Sequence, residues 1–151
     1  MEWLKPLRGA LVGLDTAPLI YFIEEHAVYL PLVKPFFEAM DRGEFRVVTS
    51  VLTLTEVLIH PLRNGDPQLA EHYRRILLKA EHISTVPVSE GIAEEAAYLR
   101  SRYNLRTPDA IQLATAIRSQ ATFFLTNDTR LPEPGPLKVL LLNALLTPPQ
   151  A

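Results

Sequence analysis

Residues 107–128 read TPDAIQLATAIRSQATFFLTND. Thr107-Pro108 is a helix start: a polar side chain that can cap, then a proline whose fixed φ and missing N–H suit a first turn. From Ala110 the run AIQLATAI is apolar on most sides. The helix, carried to about Ser119, is therefore expected to be central and buried. Thr122–Thr126 (TFFLT) follows as a short, continuously apolar strand. Strands of that kind belong to sheets covered on both faces, which is the setting of parallel strands in α/β proteins.

Working outward, Ala10–Leu14 (ALVGL), Arg46–Thr49 (RVVT), Ile83–Val86 and Leu137–Leu142 read as further strands. Helical patterns lie between them. Thr16 can cap a helix over Ala17–Glu25, and a second covers Pro31–Arg42, ended by Gly43. Ser50 opens a third, with Leu52, Val57 and Leu58 inward and an end near Pro61. After the turn Arg63–Pro67, Asp66 caps a helix in which Leu69, Tyr73, Ile76, Leu77 and Ala80 recur at helical spacing. Ser89 caps another, with Ile92, Ala96, Leu99 and Tyr103 on one face. Leu131–Pro136 is a proline-rich loop. The alternation of strands and helices predicts an α/β sandwich around a mainly parallel sheet, one domain over residues 1–151.

Hydrophobic residues make up 48% of the chain and charged residues 21%, a globular profile. With no cysteine, a disulfide framework, a thiolate zinc site and a cysteine nucleophile are excluded; the same absence fits a cytoplasmic protein. The apolar stretch Leu137–Leu146 is interrupted by Lys138 and Asn143 and is too short to span a bilayer, so no membrane association is expected. A net charge of −2 counts against nucleic-acid binding, though a carboxylate cluster lowers net charge and bound cations offset it locally. There is no Gly-x-Gly-x-x-Gly and no Walker loop, which removes the usual nucleotide-binding readings.

Four acids fall at one edge of the expected sheet. Asp15 directly follows the first strand, and Asp128 follows the fourth. Asp109 lies in the first turn of the buried helix, where free N–H groups and the helix dipole favour an anion. Glu56 lies in the helix after the second strand. In open α/β sheets, sites form outside the carboxyl ends of strands. Each acid alone also has an ordinary structural role: a cap at Asp15 or Thr16, a dipole complement at Asp109, a capping box Thr53-x-x-Glu56, a turn at Asp128. Together they form a set that needs a counter-charge, because neighbouring carboxylates raise one another's pKa. All-oxygen donors without cysteine or a histidine cluster point to Mg²⁺ or Mn²⁺. Such an ion can activate water and neutralise charge on a phosphodiester.

These motifs resemble the PIN domain, and within it the toxin nucleases of VapC type. Asp15-Thr16 with Pro18-Leu19-Ile20 after an apolar strand is similar to the family's first Asp motif. Ser50-Val-Leu-Thr53-Leu-Thr-Glu56-Val resembles its Ser/Thr-rich turn with the second acid. Asp109-Ala110, followed by Ala114 and Ala116, resembles its Asp-Ala-x-x-x-Ala-x-Ala segment, and Thr126-Asn127-Asp128 its terminal strand-plus-Asp signature. The resemblance implies a three-layer α/β/α sandwich and a Mg²⁺- or Mn²⁺-dependent ribonuclease that hydrolyses RNA. It also implies a homodimer and an antitoxin that blocks the site. Asp15, Glu56, Asp109 and Asp128 match the acidic positions, as catalytic and metal-binding residues. Thr16 and Asn127 match polar positions beside them and are expected to contact substrate.

Among other residues, Arg102 and Arg106, near Arg100, are candidates for RNA phosphate contacts. His60, four residues after Glu56 on the same helical face, is a candidate to bind the metal or to support one of its ligands. A dehalogenase-type phosphatase would need Asp where Ala17 stands, and a receiver domain would need an acid near Val86-Pro87-Val88. The remaining alternative is a catalytically silent PIN-like module that binds RNA or protein.

Overall fold

The computed structural model describes residues 1–146. A 3-10 helix, Glu2–Leu7, leads into β1 (Leu11–Leu14), α1 (Thr16–Ile23), α2 (Leu30–Asp41), β2 (Arg46–Ser50), α3 (Val51–Arg63) and α4 (Pro67–Lys79). Then come β3 (Ile83–Val86), α5 (Glu90–Arg102), α6 (Thr107–Arg118), β4 (Phe123–Thr126), β5 (Lys138–Leu141) and α7 (Leu142–Leu146). The five strands form one sheet in the order β3-β2-β1-β4-β5, parallel at every pairing.

The alternation of side chains along a strand divides the core between two faces. Val12, Leu14, Val47 and Leu125 pack with Leu19, Phe36, Phe37, Tyr73 and Leu77 on one face, toward α1, α2 and α4. Val48 and Phe124 pack with Ile92, Leu99, Leu113 and Ala114 of α5 and α6 on the other. The result is the expected three-layer α/β/α arrangement. Gly13 lets α6 lie directly against β1. A Cβ there would stand 2.7 Å from Ala116 Cβ and 2.8 Å from a Phe124 ring carbon, closer than atoms pack.

Several local expectations shift. Thr16 and Thr107 are not caps: Asp15 and Arg106 hold the two N-cap positions. Ser50, Asp66 and Ser89 do cap, accepting from Leu52, Leu69 and Ile92 N–H. Pro61 does not end α3, which runs to Arg63; in a last turn a proline forfeits one helical hydrogen bond and little else. Of the three residues expected inward on α3, Val57 is buried while Leu52 and Leu58 are half-buried. Tyr103 falls just past the end of α5. The final strand stops at Leu141, and Leu142, expected in it, begins α7. The N-terminal 3-10 helix was unheralded by any periodicity; it buries Leu7 and stacks Trp3 on Phe36, with ring centroids 6.0 Å apart.

Candidate active site

The strand order reverses direction at β1: the chain moves from β1 out to β2 on one side and returns to β4 on the other. A crevice at the carboxyl ends of two such strands is where α/β sheets hold ligands. Asp15 and Asp128 stand at the ends of those two strands. The Asp15 N–H donates to Leu125 O at 3.0 Å, extending the ladder with β4 by one bond. Asp15 Oδ1 accepts from Thr16 N at 2.9 Å and Oδ2 from Thr126 Oγ1 at 2.7 Å. The buried Thr126 hydroxyl also accepts from Asp128 N at 3.0 Å. One threonine at the end of β4 thus ties the two acids to a common frame.

Burial pushes the Asp15 carboxyl above its ordinary pKa, against the hydrogen bonds from Thr126 and Thr16, and the charges of Asp109 and Glu56 push the same way. Those last contributions place three acids within electrostatic reach of one another. Glu56, exposed on α3, accepts from the Thr16 hydroxyl at 2.9 Å. Asp109, in the first turn of α6, accepts from Arg106 Nε at 3.1 Å. Asp128 accepts on both oxygens from Arg130, Nε to Oδ1 and Nη2 to Oδ2, each at 2.9 Å. Arg130 above all, and Arg106 more weakly, hold the Asp128 carboxyl below its ordinary pKa.

Arg100, Leu105, Arg106, Asp109, Asp128 and Arg130 wall a cleft of about 500 Å³. Asp15 and Glu56 are not among its walls. Among the described residues, no three acidic or histidine side chains come together as a ready ion-holding group. Asp109 and Asp128 face arginines instead. The donor set nonetheless suits a hard cation: every candidate atom is a carboxylate oxygen, and the described hydrogen-bond partners of Asp15 are a hydroxyl and an N–H, with no cationic side chain among them. Asp15, Glu56, Asp109 and Asp128 could hold such an ion after the arginines move.

The other expected site residues separate. Arg106 lies at the cleft. Arg102 does not: its guanidinium sits 5.7 Å from the Tyr98 ring centroid, beside a different hollow that includes Pro134 and Pro136. Asn127 is committed to structure, donating to Tyr21 Oη at 3.2 Å and accepting from Asn143 N at 3.0 Å. His60 pairs with Asn64 at 3.0 Å. Among the aromatic side chains, Phe36 and Phe37 are core, and Tyr21 stacks on Tyr29 at 4.8 Å between centroids.

Beneath the acids lies a polar layer whose contacts local sequence rules do not reveal. Thr49 Oγ1 donates to Leu14 O at 2.7 Å. Its proton is thereby used, so the 2.7 Å contact between Thr49 and Thr53 hydroxyls has Thr53 as donor. Gln112 Nε2 donates to Thr53 Oγ1 at 2.8 Å, leaving Gln112 Oε1 buried and unpaired. All three side chains are at most 3% exposed. Gln112 was visible as the one strongly polar residue inside AIQLATAI. Arg130, two residues after Asp128, carried no signal beyond its charge.

The sequence model of the PIN domain matches residues 12–135. The chain belongs to the PIN domain family. PIN domains are generally nucleases, and PIN nucleases typically work with divalent metal ions. Among curated protein sequences there is no match. Solved structures give the same fold. A toxin–antitoxin complex from Klebsiella pneumoniae aligns with a TM-score of 0.62 at 23% identity, covering 85% of this chain and 95% of that one. VapBC2 from Rickettsia felis, bound to a DNA fragment from their promoter, aligns at 0.69 with 15% identity over 87% and 98% of the two chains. VapC20 from Mycobacterium tuberculosis, a Sarcin-Ricin loop cleaving toxin, aligns at 0.62 with 16% identity over 76% and 87%.

Proposed function

We propose that this PIN domain is a metal-dependent endoribonuclease, the toxin of a toxin–antitoxin pair, acting in the cytoplasm as a single-domain subunit of a homodimer. The observation that carries the nuclease reading is Asp15: a carboxyl fixed at the end of β1 whose pKa is raised by burial and by Asp109 and Glu56. Asp15, Glu56, Asp109 and Asp128 would hold Mg²⁺ or Mn²⁺, which when bound supplies an acidified water and neutralises charge on a phosphodiester. Thr126 and the Thr16 N–H orient Asp15, and the Thr16 hydroxyl orients Glu56. Arg106, at the wall of the cleft, meets backbone phosphates.

The toxin role and the antitoxin partner rest on the likeness to chains solved as toxin–antitoxin complexes. Dimerisation is supported by Ile59 and Leu62, both exposed and three residues apart on α3. One observation favours the silent RNA- or protein-binding alternative: Asp109 and Asp128 are already neutralised by arginines. Incubation of structured RNA with the protein plus Mn²⁺, Mg²⁺ or EDTA separates the two. Cleavage that requires the metal supports the nuclease; RNA bound but uncut under all three conditions supports the binding module.

A further inference from the structure

Arg130 grips Asp128 with both arms of its fork, Nε and Nη2 each at 2.9 Å, and its backbone N–H adds a third bond to Oδ1 at 3.0 Å. Its side chain is 68% exposed, and that of Arg106, paired with Asp109, is 70% exposed. Both guanidiniums stand at the wall of the cleft. The other arginine there is engaged differently. Arg100 donates to Leu105 O at 2.8 Å and to Thr107 Oγ1 at 2.9 Å, fixing the chain ahead of α6. In the described hydrogen bonds, Arg130 has Asp128 as its side-chain partner and nothing else.

A planar guanidinium fork fits a carboxylate and a phosphate equally well. A carboxylate whose two oxygens are both taken by arginine offers a cation few of its lone pairs. The two acids neutralised from within the chain are also the two that line the cleft, while Asp15 has hydroxyl and N–H partners alone.

We propose that Arg130 exchanges partners: it neutralises Asp128 in the metal-free protein and turns to a phosphate of the RNA strand once Asp128 is engaged by a divalent cation. This rests on the metal-dependent ribonuclease reading. Two consequences follow from linkage. Arg130 weakens metal binding by competing for Asp128. Metal and RNA each favour the state in which Asp128 and Arg130 are apart, so each tightens the binding of the other.

The test compares wild type with Arg130→Gln and Arg130→Lys, whose folding is checked by circular dichroism; the exposed position leaves the core untouched. Mn²⁺ binding without RNA is read from the loss of the free-ion electron paramagnetic resonance signal. Binding of a short labelled oligouridine is read by fluorescence anisotropy, in EDTA and in Ca²⁺. An exposed ion pair sets the scale: R130Q binds Mn²⁺ up to about fivefold tighter than wild type, with R130K between them. R130Q also loses part of the gain in oligouridine affinity that Ca²⁺ gives wild type, and its salt slope falls by about 0.7 for one lost phosphate contact. Mn²⁺ affinity in R130Q equal to or below wild type overturns the exchange, as does an undiminished gain with Ca²⁺. Those results, alongside Mn²⁺-dependent cleavage by wild type, sink the role of Arg130 alone. A wild-type protein that binds neither Mn²⁺ nor oligouridine sinks the ribonuclease reading as well.

Discussion

Replacing Thr126 by valine keeps the shape of a fully buried side chain and removes one hydroxyl that serves two acids. Its 2.7 Å bond to Asp15 Oδ2 is of the kind made to a charged acceptor, where loss costs about 1.5–3 kcal/mol. The Asp128 N–H also loses its acceptor, but it lies beside a partly exposed residue where water can replace the bond. The expected loss of stability near neutral pH is about 2 kcal/mol, a fall of about 1 M in the urea midpoint for a domain of this size. The pH dependence is the sharper part. Because burial raises the folded pKa of Asp15 above 3.8, the wild type is most stable, through this group, below pH 3.8. It loses that stability as pH rises toward the folded pKa, since the unfolded chain releases its proton first. The Thr126 bond lowers the folded pKa, so T126V raises it further and extends the loss to higher pH. The deficit of T126V relative to wild type should thus grow from acid to neutral pH. Urea unfolding of both proteins across that range reads it. A deficit that is constant with pH, or largest in acid, refutes the placement of the hydroxyl on an ionised Asp15.

Gly13→Ala should destabilise by about 1–3 kcal/mol by overpacking, because its Cβ would meet Ala116 and Phe124 inside contact distance; thermal unfolding reads it, and an unchanged midpoint would mean that α6 does not rest on β1. Gln112→Leu loses a bond to Thr53 but also removes the unpaired Oε1. Its stability should stay within about 1 kcal/mol of wild type in urea, and a loss beyond about 2 kcal/mol would show that Oε1 has a partner.

The layers of this fold were legible because they rest on pattern. A helix apolar on most sides, TPDAIQLATAI, and an apolar strand, TFFLT, can coexist only where both are covered, and α6 and β4 sit there. Three of the expected caps hold because Ser50, Asp66 and Ser89 each precede a helix with nothing better to bind. Thr16 failed as a cap because Asp15, one residue earlier, takes the N-cap and frees the Thr16 hydroxyl for Glu56, a partner 40 positions away. Local rules do not see such partners. The same limit hid the Thr49, Thr53 and Gln112 layer, whose members come from β2, α3 and α6. Proximity in sequence to Asp109 points Arg102 to the site, but helix geometry turns it toward Tyr98. Arg130 went unnoticed because a charge in a loop is usually solvated, and its pairing with Asp128 depends on the turn that follows β4.

The proposed function turns on Asp15 as the anchor of a divalent-metal site for RNA hydrolysis. It is tested most directly by RNA cleavage in Mn²⁺ with wild type and Asp15→Asn at matched folded fractions. Asn keeps the size and one acceptor of Asp15 and removes the charge. Metal-dependent cleavage is expected of wild type, reduced in D15N by two orders of magnitude or more, on the order of the loss of one preorganised charge-stabilising group. Equal cleavage by the two proteins, or cleavage by wild type that persists in EDTA, would contradict it.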